Sequence, residues 1–278
     1  MIQDIYPHVY SPDYLKIKAT DEDYVFSYDC DNVMILAKVK NDELEFMRLK
    51  ETDCTADDVV FLFAADNKNY FLAKHCVQSF GEYEYISASK LRETKPMWKS
   101  FLAITAVQLG RWYHNNRFCG KCAKNMVLST HERALVCPEC KKTVYPSISP
   151  SVIVAIFIND KLLLTKYAGS RGANNRYALV AGYIEIGETP EDTVRREVWE
   201  EVGLKVCDIK YYKSQPWSFS DSLLFGFTCR VDGSDSITLQ EDELSFAGWF
   251  KKEDVPENPS KVSLTNEMIQ KFRNEGVF

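Results

Sequence analysis

The sequence of 278 residues contains no apolar run approaching the roughly 18 residues of a membrane-spanning helix. It also has no long run of lysine and arginine, and 40 acidic residues outnumber 34 basic ones, for a net charge of −6. An extended basic surface for long nucleic acids is therefore not expected. The first residues, MIQDIYPHVYSPDY, lack the basic and apolar segments of a secretory signal. We therefore expect a cytoplasmic protein that does not associate with membranes.

The sequence also lacks the cysteine pattern of a disulfide-bonded protein. Nine cysteines are an odd number, and four of them cluster between residues 119 and 140. Scattered cysteines in apolar or strand-like segments are typical of reduced thiols in a cytosolic protein, so we expect no disulfide framework. The scattered ones are Cys30, Cys54, Cys76, Cys207 and Cys229.

Hydrophobic residues form 45% and aromatic residues 13% of the sequence, enough for one large or two to three small globular domains. Up to about residue 95, short apolar runs alternate with Asp, Asn and Lys turns, which predicts a β-rich module with a structural or dimer-forming role. We interpret His75, Asp57 and Asp58 as surface or turn residues of this module. The predicted strands are 24–28, 33–39, 59–65 and 69–75, with a hairpin turn at 66–69.

A long helix and a cysteine cluster follow this module. From about Met97 to His114, apolar and aromatic residues repeat at helical spacing, which predicts an amphipathic helix with its aromatic stripe in the core. Two CxxC pairs come next, separated by residues 123–136. Two turns with two thiolates each can close a tetrahedral shell, which indicates a structural Zn²⁺ rather than a catalytic one. The predicted ligands are Cys119, Cys122, Cys137 and Cys140.

From Val152 onward, the pattern alternates strands with helices, which predicts a mixed sheet between helices. A final helix is expected to begin after Ser263, whose hydroxyl can cap it. The predicted strands are 152–158, 161–166, 177–183, 222–231, 236–239 and 245–251.

The stretch 182–204, GYIEIGETPEDTVRREVWEEVGL, carries the strongest chemical pattern. At helical spacing, Glu197, Glu200 and Glu201 lie on one face within one turn, next to a stripe of valines that can pack on a sheet. Three carboxylates this close repel one another, so the face suits a hard divalent cation. The helix limits are indicated by Thr189 as N-cap, Pro190 at N1, Asp192 at N3 and Gly203 after the last turn.

This stretch resembles the Nudix hydrolases, because it meets every position of the spacing G-x5-E-x7-R-E-U-x-E-E-x-G-U, with U an apolar residue. A solvated acidic helix face would explain a single Glu pair but not the whole pattern. The resemblance implies an α/β/α sandwich whose carboxylates hold Mg²⁺ or Mn²⁺ against a diphosphate. It also implies that Glu188 pairs with Arg196 to fix the loop. The matching residues are Gly182, Glu188, Arg196, Glu197, Val198, Glu200, Glu201, Gly203 and Leu204.

A second motif indicates which group of Nudix hydrolases the sequence resembles. Residues 214–222, SQPWSFSDS, resemble the SQPWPFPxS signature of the NAD(H) pyrophosphatases, with Ser218 and Ser220 where the family usually has proline. Such an aromatic loop suits stacking on a nicotinamide or adenine ring, and loss of two prolines should loosen it. In an isolated WxF motif, the aromatic residues would more simply fill a core. The signature residues expected at the dinucleotide are Gln215, Trp217, Phe219 and Ser222.

The resemblance to the NAD(H) pyrophosphatases covers nearly the whole chain after about residue 90 and implies further substrate contacts. Tyr183 occupies the place, just after Gly182, where the family has an aromatic residue that stacks on the nicotinamide. Tyr145, Glu132 and Arg92 match family positions near the substrate.

The same resemblance implies the rest of the catalytic metal site. The backbone carbonyl of Ala181 and the carboxylate of Glu243 match the remaining metal positions, although the neighbouring Glu241 and Asp242 could equally supply that carboxylate. Of the helix carboxylates, either Glu201 or Glu200 would orient or deprotonate the attacking water.

We therefore predict an α+β homodimer with three domains per chain. These are a β-rich domain ending in a helix (1–114), a zinc ribbon (115–148) and a Nudix domain (149–278). The resemblance implies metal-dependent hydrolysis of the diphosphate of NADH or NAD⁺ to AMP and nicotinamide mononucleotide. Removal of an NAD cap from RNA 5′ ends is an alternative with the same chemistry. A zinc-ribbon binding module that senses a nucleotide without cleaving it is an alternative from another class.

Overall fold

The computed structural model describes residues 1–29, 34–169 and 176–278. These residues divide into two compact units, one of residues 2–147 with 218–221 and the other of Met1 with 148–217 and 222–278. Cys30, and Val33 at the start of the predicted strand 33–39, lie outside the described residues. None of the helices in the described ranges is long and apolar enough to cross a membrane.

The unit of residues 2–147 and 218–221 is rich in short strands, as the alternating pattern predicts. Its elements are Tyr10–Ser11 (β1), Tyr24–Phe26 (β2), Tyr28–Asp29 (β3), Met34–Lys40 (β4), Glu43–Glu45 (β5), Met47–Arg48 (β6), Val59–Ala65 (β7), Lys68–Ala73 (β8), Glu84–Ser87 (β9), Met97–Asn115 (α1), Val127–Leu128 (β10), Leu135–Val136 (β11) and Thr143–Val144 (β12). One sheet has the order β1-β7-β8-β2-β6, a second joins β3, β4, β5 and β9, and a third joins β10, β11 and β12.

Two local predictions in this unit are confirmed. The chain turns between β7 and β8 at Asp66 and Asn67, whose φ angles of 51° and 58° are the left-handed values that a tight hairpin turn requires. Helix α1 spans the predicted segment and buries Leu102, Ala106 and Trp112. Its apolar stripe therefore packs into the core, as its spacing indicates.

The other unit is a sheet between two helices. Its elements are Ser149–Ile158 (β13), Lys161–Tyr167 (β14), Val180–Tyr183 (β15), Pro190–Val202 (α2), Val206–Trp217 (β16), Ser222–Val231 (β17), Leu244–Lys251 (β18) and Leu264–Glu275 (α3). The sheet has the order β16-β17-β13-β14-β18, with β15 paired to β13, and β13 runs parallel to β17.

Strand β13 shows how the sequence builds the two faces of this sheet. Alternate side chains of a strand point to opposite faces, so a continuous apolar run can serve two cores. Val152, Val154 and Ile156 join the core that contains the valines of α2. Ile153 and Phe157 join the core that contains Leu264 to Phe272 of α3. The predicted α+β class and its α/β/α sandwich are confirmed.

Two predictions about the second half of the chain are wrong. Residues 236–239 do not form a strand, because their backbone turns toward the end of α2, where the amide of Thr238 donates to the carbonyl of Val202 at 3.0 Å. Residues 214–217 do not form a loop, because they continue β16 and pair with β17, with Gln215 opposite Leu224. Only the signature residues 218–221 lie in the turn between these strands.

Candidate active site

The motif at 182–204 folds into a strand, a loop and a helix with the predicted limits. The hydroxyl of Thr189 accepts a hydrogen bond from the amide of Asp192 at 3.2 Å and donates one to its carboxylate at 2.7 Å. Pro190 begins α2, where its missing amide proton costs nothing. Gly203 ends the helix with a φ of 69°, the left-handed conformation that glycine adopts without strain. The helix that carries the three glutamates is therefore fixed at both ends.

The carboxylates of the motif differ in burial. Glu201 is 1% exposed, whereas the side chain of Glu197 is 12% exposed and that of Glu200 is 51% exposed. Burial raises the pKa of the Glu197 carboxyl, and the nearby charges of Glu200 and Glu243 raise it further. Glu200 and Glu243 therefore lie near enough to Glu197 to act on its charge. Negative charge held this close favours a bound cation.

Arg196 fixes the loop that precedes α2. Its Nε and Nη2 donate to the two oxygens of Glu188 at 2.7 and 2.8 Å, a two-point contact that confirms the predicted pair. The same Nη2 reaches the carbonyl of Tyr183 at 3.0 Å. Nη1 contacts Glu197 at 2.7 Å and Glu200 at 3.0 Å. One guanidinium thus ties the loop to the helix and offsets part of the repulsion among the carboxylates.

The Glu188 and Arg196 pair predicts a pH dependence of stability. Hydrogen bonds from Arg196 lower the pKa of the Glu188 carboxyl from 4.5 to about 2. Because the folded pKa lies below the unfolded one, the pair stabilises the fold fully above about pH 4.5, and this contribution is lost as the pH falls toward 2. As the pH falls from about 4.5 to 2, the unfolding free energy of Glu188→Gln should therefore decrease less than that of the wild type.

Urea unfolding at a series of pH values measures this difference. Glu191→Gln is the matched control, because Glu191 is exposed in the first turn of the same helix. An equal pH slope in the wild type and Glu188→Gln would contradict the assignment.

The close approach of Gly182 and Glu197 supports a metal role for this face. A Cβ at residue 182 would lie 1.9 Å from the carboxylate carbon of Glu197, so the carboxylate lies directly against the backbone of β15. The carbonyl of Ala181 belongs to the same strand. The donors available here are oxygens, which are the ligands of Mg²⁺ and Mn²⁺. The residues therefore fit a hard divalent cation.

The segment before Glu243 also fixes the end of α2. The amides of Thr238 and Gln240 donate to the carbonyls of Val202 and Glu201, each at 3.0 Å. These carbonyls have no partner within the helix, so an external donor satisfies them. Residues 236–239, predicted as a strand, therefore cap α2 instead, together with Gln240. Glu243 lies three residues after Gln240.

The four predicted zinc ligands come together. The Sγ atoms of Cys119 and Cys140 are 3.5 Å apart, and those of Cys122 and Cys137 are 3.4 Å apart. A tetrahedral zinc site with bonds of 2.3 Å separates its sulfur atoms by about 3.8 Å. The amides of Lys121 and Cys140 point at Cys119 and Cys137, respectively. Such amide contacts, chiefly that of Lys121, lower the pKa of Cys119 to about 6, which favours a thiolate ligand. The ribbon fits a structural zinc ion.

Four residues predicted to contact the substrate form two pairs. The hydroxyl of Tyr145 donates to Oε1 of Glu132 at 2.9 Å. The guanidinium carbon of Arg92 lies 4.4 Å from the ring centre of Phe219, a cation–π contact. In the other unit, Tyr183 is 52% exposed at the end of β15, as a stacking residue requires.

The other signature residues are less exposed. Gln215 is fully buried. Its side-chain nitrogen donates to the carbonyl of Val262 at 2.9 Å, and its side-chain oxygen accepts from the backbone amide of Leu264 at 2.6 Å. It therefore fixes the start of α3. Ser222 is 3% exposed at the start of β17, and Trp217 packs against the core beneath α3. For Trp217, core filling and substrate contact are both compatible with this position.

Sequence reasoning missed Arg111. Its Nη2 donates to the carbonyl of Ser218 at 2.8 Å and to Asp221 at 2.6 Å. The turn that lacks the family prolines is therefore held by an ion pair. No local pattern identifies this contact, because more than 100 residues separate its partners in the chain.

Comparison with known proteins agrees with this geometry. Residues 148–272 match the NUDIX domain, and residues 114–145 match the NADH pyrophosphatase zinc ribbon domain. The "NAD-capped RNA hydrolase NudC" of Pectobacterium atrosepticum is 40% identical over 61% of this chain and 64% of its own length. The protein of the same name from Chromobacterium violaceum is 39% identical over 63% of this chain and 65% of its own length. The matched part thus spans slightly less than two thirds of these relatives.

Similar solved structures include a NUDIX hydrolase from Nitrosomonas europaea. It covers 57% of this chain and 91% of its own length, at 20% identity and a TM-score of 0.48. The NUDIX domain of Shewanella oneidensis NrtR, solved with ADP ribose, covers 47% of this chain and 89% of its own length, at 19% identity and a TM-score of 0.39.

Proposed function

Because the chain contains a Nudix domain and an NADH pyrophosphatase zinc ribbon domain, we propose that it hydrolyses the diphosphate of NADH or NAD⁺. Water adds across the bond between the two phosphates, and the products are AMP and nicotinamide mononucleotide. The observation that carries the proposal is the acidic face of α2, on which Glu201 is buried and Glu200 acts on the charge of Glu197, as does Glu243 from the segment before β18.

The roles of the residues follow from the charges in this reaction. The anionic diphosphate repels the attacking water, and the leaving oxygen gains negative charge. Mg²⁺ or Mn²⁺ held by the carboxylates would offset both charges. A carboxylate oxygen of Glu201 or Glu200 would accept the proton of the water or orient it. The metal ligands in this proposal are Glu197, Glu200, Glu201, Glu243 and the carbonyl of Ala181.

Product analysis with a panel of diphosphates tests the proposal. The purified chain would be incubated with NADH, NAD⁺, ADP-ribose, diadenosine polyphosphates and NAD-capped RNA, each with Mg²⁺, with Mn²⁺ or with excess chelator. AMP should form together with nicotinamide mononucleotide from NAD⁺, or with its reduced form from NADH, and only with a metal ion. Turnover of none of these compounds would reject the proposal.

Removal of an NAD cap from RNA is the second candidate. The two relatives described above, 39 to 40% identical, bear the name of NAD-capped RNA hydrolase. The cap presents the same dinucleotide with an RNA chain on the adenosine ribose. A rate on NAD-capped RNA that exceeds the rate on free NAD⁺ would favour this candidate.

A nucleotide sensor is the candidate from another class. It would bind NADH tightly without cleaving it. All the acidic residues of the Nudix motif are present, which argues against this role. Tight binding without product formation in the panel would support it.

Tyr183 provides a test of nicotinamide recognition. If its exposed ring stacks on the nicotinamide, Tyr183→Ala should reduce the rate on NADH three- to tenfold more than the rate on a diadenosine diphosphate, since stacking contributes about 0.5 to 1.5 kcal/mol. The measurement compares kcat/KM for both substrates. Tyr211→Ala is the matched control, because Tyr211 is 57% exposed on β16 of the same unit. An equal loss on both substrates would remove Tyr183 from nicotinamide recognition.

The domain division, the oligomeric state and the cellular location of the protein are also open to test. The division into three domains, the homodimer and the cytoplasmic site of action remain predictions. Light scattering of the purified chain measures its mass in solution and therefore tests the homodimer.

A further inference from the structure

A second group of metal-binding side chains lies in the amino-terminal module, outside the zinc ribbon and the Nudix domain. One ligand atom from each of Asp53, Cys54 and His75 lies within 4.8 Å of the other two. Cys54 is 8% exposed, whereas Asp53 and His75 are exposed. The group thus combines a buried thiol with an imidazole and a carboxylate at the surface.

The hairpin of β7 and β8 brings these residues together. Val59 pairs with Ala73 at the open end of the hairpin, and the amide of Lys74 donates to the carbonyl of Asp58 at 2.9 Å. The segment before β7 therefore meets the segment after β8. As a result, Cys54 and His75 are neighbours although 21 positions separate them.

The spacing of the donor atoms agrees with a shared metal ion. Sγ of Cys54 and Nε2 of His75 are 3.7 Å apart. A tetrahedral zinc site separates a sulfur and a nitrogen ligand by about 3.6 Å, given bonds of about 2.3 and 2.05 Å. In the zinc ribbon, the paired sulfur atoms are 3.4 and 3.5 Å apart, which is likewise close to the separation of about 3.8 Å expected around zinc.

The chemistry of the group selects the type of ion. Thiolate and imidazole together favour zinc and similar transition metals over Mg²⁺ or Ca²⁺, which prefer oxygen. Asp58 adds negative charge nearby, since it interacts electrostatically with both Cys54 and His75. The amide and hydroxyl of Thr55 hold the Asp58 carboxylate at 2.8 and 2.6 Å. A divalent cation at Cys54 would therefore meet a compensating charge.

We propose that Asp53, Cys54 and His75 form a second zinc site, with one coordination position open to water or to a further ligand. Three protein ligands hold the ion less firmly than the four thiolates of the ribbon. This site would therefore exchange its ion while the ribbon keeps its own. The proposal is independent of the hydrolase activity, and it assigns a function to His75, which the sequence pattern alone indicates to be a surface or turn residue.

Cobalt titration of the full chain tests the site. The protein, with zinc in its ribbon, would first be dialysed to remove weakly held ions. Added Co²⁺ should then give a thiolate-to-cobalt absorption band that saturates at about one equivalent per chain, and added Zn²⁺ should abolish it. Asp53→Asn should weaken Co²⁺ binding about tenfold or more.

Variants assign the band to this site. Cys54→Ala and His75→Gln should lose it, whereas Cys76→Ala, which removes the exposed thiol next to His75, should retain it. His75 is exposed, so His75→Gln should fold normally, which circular dichroism verifies. The absence of a band in the wild type would overturn the proposal. A band that survives in Cys54→Ala or His75→Gln, or that resists Zn²⁺, would arise from other thiols and would also overturn it.

Discussion

Replacing Glu201 by glutamine should lower the rate of diphosphate hydrolysis by two or more orders of magnitude and leave the fold intact. A loss of this size corresponds to about 2.7 kcal/mol of transition-state stabilisation, the range reported when one electrostatic group of an active site is removed. Glutamine has nearly the same shape, so the packing around this buried position, which is 1% exposed, is retained. Without a metal ion, Glu201→Gln should be at least as stable as the wild type, because burying an amide costs less than burying a charge.

Rates on NADH under saturating Mg²⁺ or Mn²⁺, together with urea unfolding, measure both parts of this expectation. Glu191→Gln, on the exposed first turn of α2, makes the same chemical change away from the proposed site and should keep the wild-type rate. If Glu201→Gln also kept the wild-type rate, Glu201 would have no part in the mechanism. Slow turnover with a large loss of stability would indicate a packing role instead.

Loss of the ribbon zinc should affect folding more than chemistry. The ribbon contains three strands of two residues each, and few of its side chains are buried. So small a core cannot hold itself together, and metal binding supplies its folding free energy. Cys137→Ser, at a fully buried ligand, should reduce the yield of folded protein about tenfold or more. The turnover per folded molecule should fall less.

Elemental analysis after dialysis should find one tightly held zinc ion per wild-type chain and less than one in Cys137→Ser. Cys207→Ser, which changes an exposed thiol outside the ribbon, should retain both the zinc and the yield. Full activity in a wild-type protein that contains no zinc would refute the structural role.

The parts of the site that the sequence predicts are those encoded by local spacing. The limits of α2 follow from Thr189 and Gly203, and the pair of Glu188 and Arg196 follows from the motif. The two CxxC pairs likewise place four thiols at the spacing of a zinc knuckle. The order of strands and helices after Val152 predicts a mixed sheet between helices.

The parts that the sequence does not predict depend on contacts between distant segments. Residues 236–239 alternate like a strand, but the free carbonyls at the end of α2 accept their amides instead. Arg111 binds the turn at 218–221 from a helix more than 100 residues earlier. His75 meets Cys54 only because β7 and β8 pair. Periodicity carries no information about such contacts.

The contact of Gly182 with Glu197 limits which residues positions 182 and 197 can hold. Unlike Gly203, Gly182 lies within a strand and is not needed for a left-handed turn. What position 182 requires is the absence of volume, since even a methyl group would displace the Glu197 carboxylate. An aspartate at 197 would make room but would draw the carboxylate oxygens back toward the axis of α2. A substitution at either position alone would therefore disturb the arrangement of charges, so the two positions are constrained as a pair.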